Sequence, residues 1–328
     1  MNLNKIQLGR IANQSGFVRD TLEKVIRLTE VLKFVNEDEI LSEHLLLKGG
    51  TAINLTILEL KRLSVDIDLD FTPNLSKEEV ADQRAIIKHR LNNYMKKEGY
   101  ELEEDKSKFT HSLDSCVYSY MNTGDTKDLI KVEINYSIRE HIFRSVKCKN
   151  NTLNGVLHPL EIKTVHPIEI YGSKLTALMG RSAARDLYDV WNMIEMNLFN
   201  REEQNLLRKA LIFYSILNVD VKEELFDTSQ ILTINWKKIH RELRPVIYTK
   251  ERLELEKMHM AVINYIEALI QLDDRETLFI DEYYDEGDYR PELLFEEKER
   301  VERLRTHPMV LWRLNSRQRK LNQGEKRI

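Results

Sequence analysis

The segment Val65–Phe71 constrains this chain more than any other. Ile67, Leu69 and Phe71 alternate with Asp66, Asp68 and Asp70, and a strict two-residue period makes a strand with one apolar and one acidic face. A chain that builds this strand must bury one face in a sheet core and leave the carboxylates on the other. Asp66 and Asp68 then project from the same side, about 7 Å apart along the backbone. Such a pair suits a divalent cation held jointly with phosphate oxygens, since Mg²⁺ is commonly bound by one or two carboxylates plus substrate phosphates. A solvent-facing strand edge gives the same pattern without a metal, so the alternation alone leaves both readings open.

Just upstream, the short apolar run HLLLK ends at Gly49-Gly50-Thr51, and TAINLTILELKRL follows with helical periodicity. Strand, tight turn and helix succeed one another. Glycines at such a turn let backbone N–H groups approach a phosphate, and the helix start adds partial positive charge. An ordinary strand-to-helix turn uses the same residues. The run is neither GxxxxGKS nor GxGxxG, so no P-loop or dinucleotide fingerprint is present.

The remaining pattern is α/β, in the α+β sense, with strands early and helices late. The first forty residues predict one or two amphipathic packing helices, and Ser76 with Glu79 caps a helix over 77–98. Strands are predicted near 99–104, 115–121 and 129–137. In the last of these Ile130, Val132 and Ile134 alternate with Lys131, Glu133 and Asn135, which puts another carboxylate on a polar strand face. From Pro167 onward the periodicity is helical, and His166-Pro167 breaks the strand pattern, dividing the chain into domains at 1–165 and 166–328. Eleven glycines and six prolines in 328 residues exclude a linker-rich or disordered chain. A net charge of -4 excludes a protein that coats nucleic acid by bulk charge, so any polyanion site is local. No window approaches the roughly 20 apolar residues of a membrane span, and the N-terminus lacks a signal-peptide stretch. Cys116 and Cys148 lack ligand spacing and read as reduced thiols of a cytoplasmic protein. His44, His89, His111, His141 and His158 show no metal spacing and read as surface or packing residues, and Trp191, Phe213 and Tyr214 as core.

Four blocks in order, LLKGGTAINL, RLSVDIDLDF, KVEIN and YGSKLTALMGRSAARDLYDVW, resemble the AbiEii/AbiGii toxin family of nucleotidyltransferases, the enzymatic half of type IV toxin–antitoxin and abortive-infection systems. They span about residues 45–192. The resemblance implies a polymerase-beta-like mixed sheet followed by a helical C-terminal domain. It assigns Asp66 and Asp68 to Mg²⁺ or Mn²⁺, with Glu133 the best match for the third carboxylate and Asp70 a competitor. Gly49 and Gly50 match the turn under the triphosphate of an NTP substrate, with Thr51 as a phosphate contact. Lys48, Arg62 and Ser64 lie close enough in sequence to join the triphosphate side. Lys174 matches a helix lysine aimed at the triphosphate, with Arg181 on the same face. Asp186, in the RDxxD block with Arg185 and Asp189, matches a carboxylate that orients that lysine. The implied reaction transfers NMP to an RNA acceptor, the tRNA 3′ end being the leading precedent, by two-metal chemistry, with a cognate antitoxin as partner.

Two other classes remain in view. One is a nucleotide-binding toxin–antitoxin module without turnover, and the other a glycosyltransferase whose DxD pair holds a nucleotide sugar through a metal. The second fits less well, because this DxD follows the Gly-Gly turn by only some sixteen residues and lacks a long preceding nucleotide-binding half. The C-terminus concentrates Arg313, Arg317, Arg319, Lys320, Lys326 and Arg327 against Glu325. Such a run is either a solvated tail or, with Lys237, Lys238, Arg241 and Arg244, a basic track for RNA phosphates.

Overall fold

The apolar half of the alternating segment builds the centre of the sheet. In the computed structural model, which describes residues 4–324, Leu45–Lys48 forms β1 and Asp66–Phe71 forms β2. Ile67, Leu69 and Phe71 are all buried. The remaining strands are Glu101–Leu102 (β3), Lys108–Phe109 (β4), Leu113–Met121 (β5), Lys127–Asn135 (β6), Val146–Lys149 (β7) and Glu161–Thr164 (β8). They form one mixed sheet in the order β3-β5-β6-β2-β1-β8-β7, with β4 added against β5. β1 runs antiparallel to β2, and β6 runs parallel to it. A parallel neighbour requires a crossover, and α5 (below) with the β5 hairpin lies between β2 and β6 in sequence.

The helices are Lys5–Ser15 (α1), Arg19–Glu37 (α2), Glu39–His44 (α3), Gly49–Ala52 (α4), Lys77–Lys97 (α5), Pro167–Arg181 (α6), Ala184–Glu195 (α7) and Arg201–Asn218 (α8). Then come Trp236–Lys238 (α9), Leu255–Leu269 (α10), Asp274–Asp281 (α11), Lys298–Arg305 (α12) and Pro308–Gly324 (α13). The N-terminal stretch thus makes three helices rather than one or two. Asp38 separates the second from the third because its carboxylate caps Ile40 and Leu41. α5 starts with the expected capping box, Ser76 and Glu79 exchanging side-chain and backbone hydrogen bonds. α4 runs on as a π turn over Ile53–Ile57. Pro167 takes the first position of α6, where its missing N–H costs nothing. Among the described residues every regular element after Thr164 is helical.

The two halves of the chain share their polar interior. Arg62, 2 % exposed, donates through Nε and Nη2 to both carboxylate oxygens of Asp189 on α7, at 2.8 and 2.7 Å. Glu169 on α6 accepts from the backbone N–H groups of Ile142 and Phe143 beyond β6. Buried charge is tolerated where it is paired and hydrogen-bonded, and these pairs lock α6 and α7 against the sheet. No described helix is long and apolar enough to cross a membrane.

The C-terminal basic residues are partly engaged. Arg313 donates to the Leu217 carbonyl at 2.8 Å and pairs with Asp220. Arg317 donates to the Tyr283 and Asp220 carbonyls, with its guanidinium over the rings of Tyr283 and Tyr284. These two arginines dock α13 on the helical half, so at Arg313 and Arg317 the run is neither a free tail nor an open track. Lys326 and Arg327 lie outside the described residues.

Candidate active site

The acidic face of β2 opens into a cleft of about 370 Å³ between the sheet and α6. Register explains what meets there. Asp68 lies opposite Glu133 on parallel β6 and opposite Lys48 on antiparallel β1. Lys48, Gly49, Gly50, Asp68, Glu133 and Lys174 all line the cleft. Asp66 is half-buried one step back along the strand and close enough to act electrostatically on Asp68. Burial raises the Asp68 pKa, as do the Asp66 and Glu133 carboxylates, while Lys48 pulls it down. Glu133 accepts from Ser115 Oγ at 2.8 Å and lies 3.4 Å from Lys131.

The two glycines are required by what crosses beneath them. Gly49 has φ +67, and a Cβ there would stand 2.5 Å from Asp68 Oδ2. A Cβ on Gly50 would stand 2.6 Å from Arg62 Nη2 and 3.2 Å from Ser64 Oγ. The turn is therefore glycine because Asp68 and Arg62 pass directly under it. Gly49→Ala is expected to lose about 1–2 kcal/mol from left-handed backbone strain alone and to push Asp68 aside. Thermal melting together with NTP titration checks this, and a variant melting and binding like wild type contradicts it.

Opposite the turn, Lys174 is 6 % exposed and held by two carboxylates, Asp186 at 2.8 Å and Asp189 at 3.1 Å. Arg181 binds the other oxygen of Asp186 through Nε at 2.8 Å. Burial works to raise the Asp186 pKa, yet Lys174 and Arg181 hold it well below the usual carboxylate range. Asp189 is likewise held down, by Arg62 and Lys174 against burial. Three cations, Lys174, Arg181 and Arg62, thus surround two carboxylates, and Lys174 and Arg181 reach the cleft wall.

Two sequence expectations change, and a choice between two carboxylates narrows. Thr51 is fully buried and donates its hydroxyl to the Asp66 carbonyl, so it steadies β2 and is not offered to a phosphate. Arg62 is committed to Asp189 and to the Leu63 carbonyl, and Ser64 is buried below Gly50, so neither forms a triphosphate rim. Asp70 is 3 % exposed and bound by Lys48 Nζ, which leaves Glu133 as the less encumbered neighbour of Asp68.

Sequence reading passed over a second group. His141, read as a packing residue, is 5 % exposed, with Nδ1 at 3.0 Å from Glu169 and Nε2 at 3.9 Å from Asp70. Burial opposes charge on both partners of the His141–Glu169 pair, yet their mutual attraction holds the imidazole pKa up and the carboxylate pKa down. Tyr214 on α8 donates to the same Glu169 oxygen at 2.7 Å. Lys48, Asp70, His141, Glu169 and Tyr214 therefore form a polar chain, half-buried at Lys48 and buried beyond it, of which all but His141 line the cleft. Only contacts across the fold reveal it, since its members come from β1, β2, a loop, α6 and α8.

The donor set suits a hard cation. Asp68 and Glu133 offer carboxylate oxygens in the cleft, with Asp66 acting on Asp68 from outside its lining, and a cation would relieve that crowding of like charge. Among the described residues no group of three or more His, Cys, Asp or Glu side chains is placed to hold a metal ion by itself. An ion bound here would draw part of its coordination from a substrate, as Mg²⁺ ordinarily does.

No curated protein sequence matches the chain. Among solved structures the fold resembles MenT4, a nucleotidyltransferase toxin from Mycobacterium tuberculosis H37Rv, with TM-score 0.59 and 16% identity over 87% of this chain and 97% of that one. A proposed nucleotidyltransferase from H. pylori matches at TM-score 0.49 and 16% identity, over 77% of this chain and 96% of that one. The family model described as the nucleotidyl transferase AbiEii toxin of type IV toxin–antitoxin systems matches residues 33–262, and the chain belongs to this nucleotidyltransferase toxin family.

Proposed function

We propose that the protein transfers NMP from an NTP to the 3′-terminal hydroxyl of an RNA, with tRNA as the acceptor, in the cytoplasm and under control of a cognate antitoxin. One observation carries the reading. Asp68 and Glu133 are register partners on adjacent strands, at the foot of a cleft whose facing wall presents Lys174 and Arg181. Carboxylates opposite cations across a gap of this kind match a reaction at a phosphate, where negative charge must be neutralised on both sides.

In this account residues 1–165 form the nucleotidyltransferase domain and 166–328 the helical domain. Lys48 and Lys174 neutralise the triphosphate, and the Gly49-Gly50 turn lets it lie close to the backbone. Asp186 and Asp189 fix the Lys174 ammonium, so its charge is positioned before substrate arrives. Asp68 and Glu133, with the Asp66 carboxylate behind them, would hold Mg²⁺ or Mn²⁺ together with substrate oxygens, and the ion would supply Lewis-acid neutralisation of charge at the α-phosphate and lower the pKa of the attacking hydroxyl. The acceptor oxygen bonds to the α-phosphorus, the bond to the bridging oxygen breaks, pyrophosphate leaves with that electron pair, and the hydroxyl proton passes to solvent.

The test incubates the protein with each α-labelled NTP, Mg²⁺ and deacylated tRNA, either intact or with its terminal ribose oxidised by periodate. Label is expected in intact tRNA from at least one NTP and not in oxidised tRNA. Equal labelling of oxidised tRNA would contradict the 3′-hydroxyl acceptor. Absence of label with every NTP would favour nucleotide binding without turnover.

A further inference from the structure

The segment WKKIHREL, Trp236–Leu243, looks in sequence like one more amphipathic stretch, but the fold fastens it to the mouth of the cleft. Ile239 and Leu243 are fully buried and anchor its inner side. Lys238 Nζ donates to the Ser182 carbonyl at 3.2 Å, and Glu242 accepts from the Ala184 backbone N–H at 3.1 Å. Ser182 ends α6 one residue after Arg181, and Arg181 lines the cleft. The segment is thus tethered to the turn that carries the outermost cation of the site.

Its outer side is unusual for a solvated face. Trp236 remains 39 % exposed, with the His240 ring 6.2 Å away. Lys237 and Arg241 are exposed near it in sequence, Arg241 paired with Glu242, and Arg185 at the start of α7 is half-buried. Among the described residues Lys237 and Arg185 make no ion pair, whereas the nearby carboxylates are occupied: Asp186 by Lys174 and Arg181, Glu242 by Arg241 and Ala184. The surface therefore projects net positive charge around an exposed indole. Cations placed beside an aromatic ring are what a single-stranded nucleic acid needs, charges for its phosphates and a platform for a base.

We infer that Trp236, Lys237, His240 and Arg241, with Arg181 and Arg185, form the docking surface for the RNA acceptor, a base near its single-stranded end stacking on Trp236 while backbone phosphates follow the cations toward Asp68. This rests on the RNA-acceptor reading above and specifies where the acceptor lies. Arg313 and Arg317 of the C-terminal run are turned inward and are not offered to an RNA.

The experiment measures anisotropy of fluorescently labelled deacylated tRNA against a salt series for the full chain. Lys237→Ala/Arg241→Ala is expected to reduce the slope of log affinity against log salt by about 1.4–1.8, the loss of two phosphate contacts. Trp236→Ala is expected to weaken binding about 5- to 150-fold and Trp236→Phe to restore most of it. Melting temperature and NTP affinity, read by thermal shift, stay at wild-type values in all three. Wild-type tRNA affinity and salt slope in the variants, or no tRNA binding by wild type, would overturn the docking surface. The two readings fail separately. Wild-type protein that labels tRNA while the variants bind it normally leaves the reaction standing without this surface. Variants that bind tRNA poorly, beside wild-type protein that labels no RNA, leave the surface standing without the reaction.

Discussion

Asp68→Ala is expected to reduce nucleotide transfer by at least about a thousandfold, several kcal/mol of transition-state stabilisation, without lowering the melting temperature. The reason is its double setting. Asp68 lines the cleft beside Glu133 and Lys48, yet belongs to the polar side of β2, so its loss removes nothing from the apolar set Ile67, Leu69 and Phe71. Its folded pKa is raised, first by burial and then by Asp66 and Glu133. A carboxylate with a raised folded pKa is destabilising when ionised, so removing it relieves the fold at neutral pH. Transfer assays beside thermal melting make the check. Retained activity would take Asp68 out of the reaction, and a collapsed melting temperature would make it a structural residue.

Asp189→Ala is expected to have the largest effect on stability, about 3–5 kcal/mol, the usual cost of stripping one partner from a buried ion pair. Asp189 is fully buried, bound bidentately by Arg62 and contacted by Lys174, with Asn54 donating to it at 3.2 Å. Its removal leaves Arg62, itself 2 % exposed, as an uncompensated charge below Gly50. Asp189→Asn keeps an acceptor for Arg62 but not the charge, and should fall between. Urea denaturation reads the difference. A loss below about 1 kcal/mol, the scale of an exposed pair, would show that Arg62 finds another partner or water.

Particular residues show how much of this was legible in the sequence. The alternation of β2 and of β6 announces itself within six to nine residues, because period two depends only on neighbours along the chain. Hence Asp66, Asp68 and Glu133 could be placed on polar faces, and the Ser76 capping box could start α5. What alternation does not supply is pairing. That Asp68 faces Glu133, 65 residues away, follows from a parallel register which the crossover sets. Arg62 was misplaced for the same reason, since its partner Asp189 lies 127 residues on. β7 and β8 escaped notice because four-residue strands carry too little periodicity to separate them from loop. Thr51 stands in the right segment, but its position in the first turn of α4 points its hydroxyl back to the Asp66 carbonyl. The Gly-Gly pair was legible as a turn, whereas its tightness toward Asp68 and Arg62 emerged only in three dimensions.

In the proposed reaction the cleft breaks an NTP between its α- and β-phosphates and leaves the NMP on RNA. Two parallel reactions with the same NTP, one labelled at the α-phosphate and one at the γ-phosphate, test this directly. Label is expected to enter tRNA only from the α-labelled nucleotide, while the γ-label is released as pyrophosphate. Entry of γ-label into tRNA, or its release as inorganic phosphate with no α-label on RNA, would contradict nucleotidyl transfer at Asp68 and Glu133.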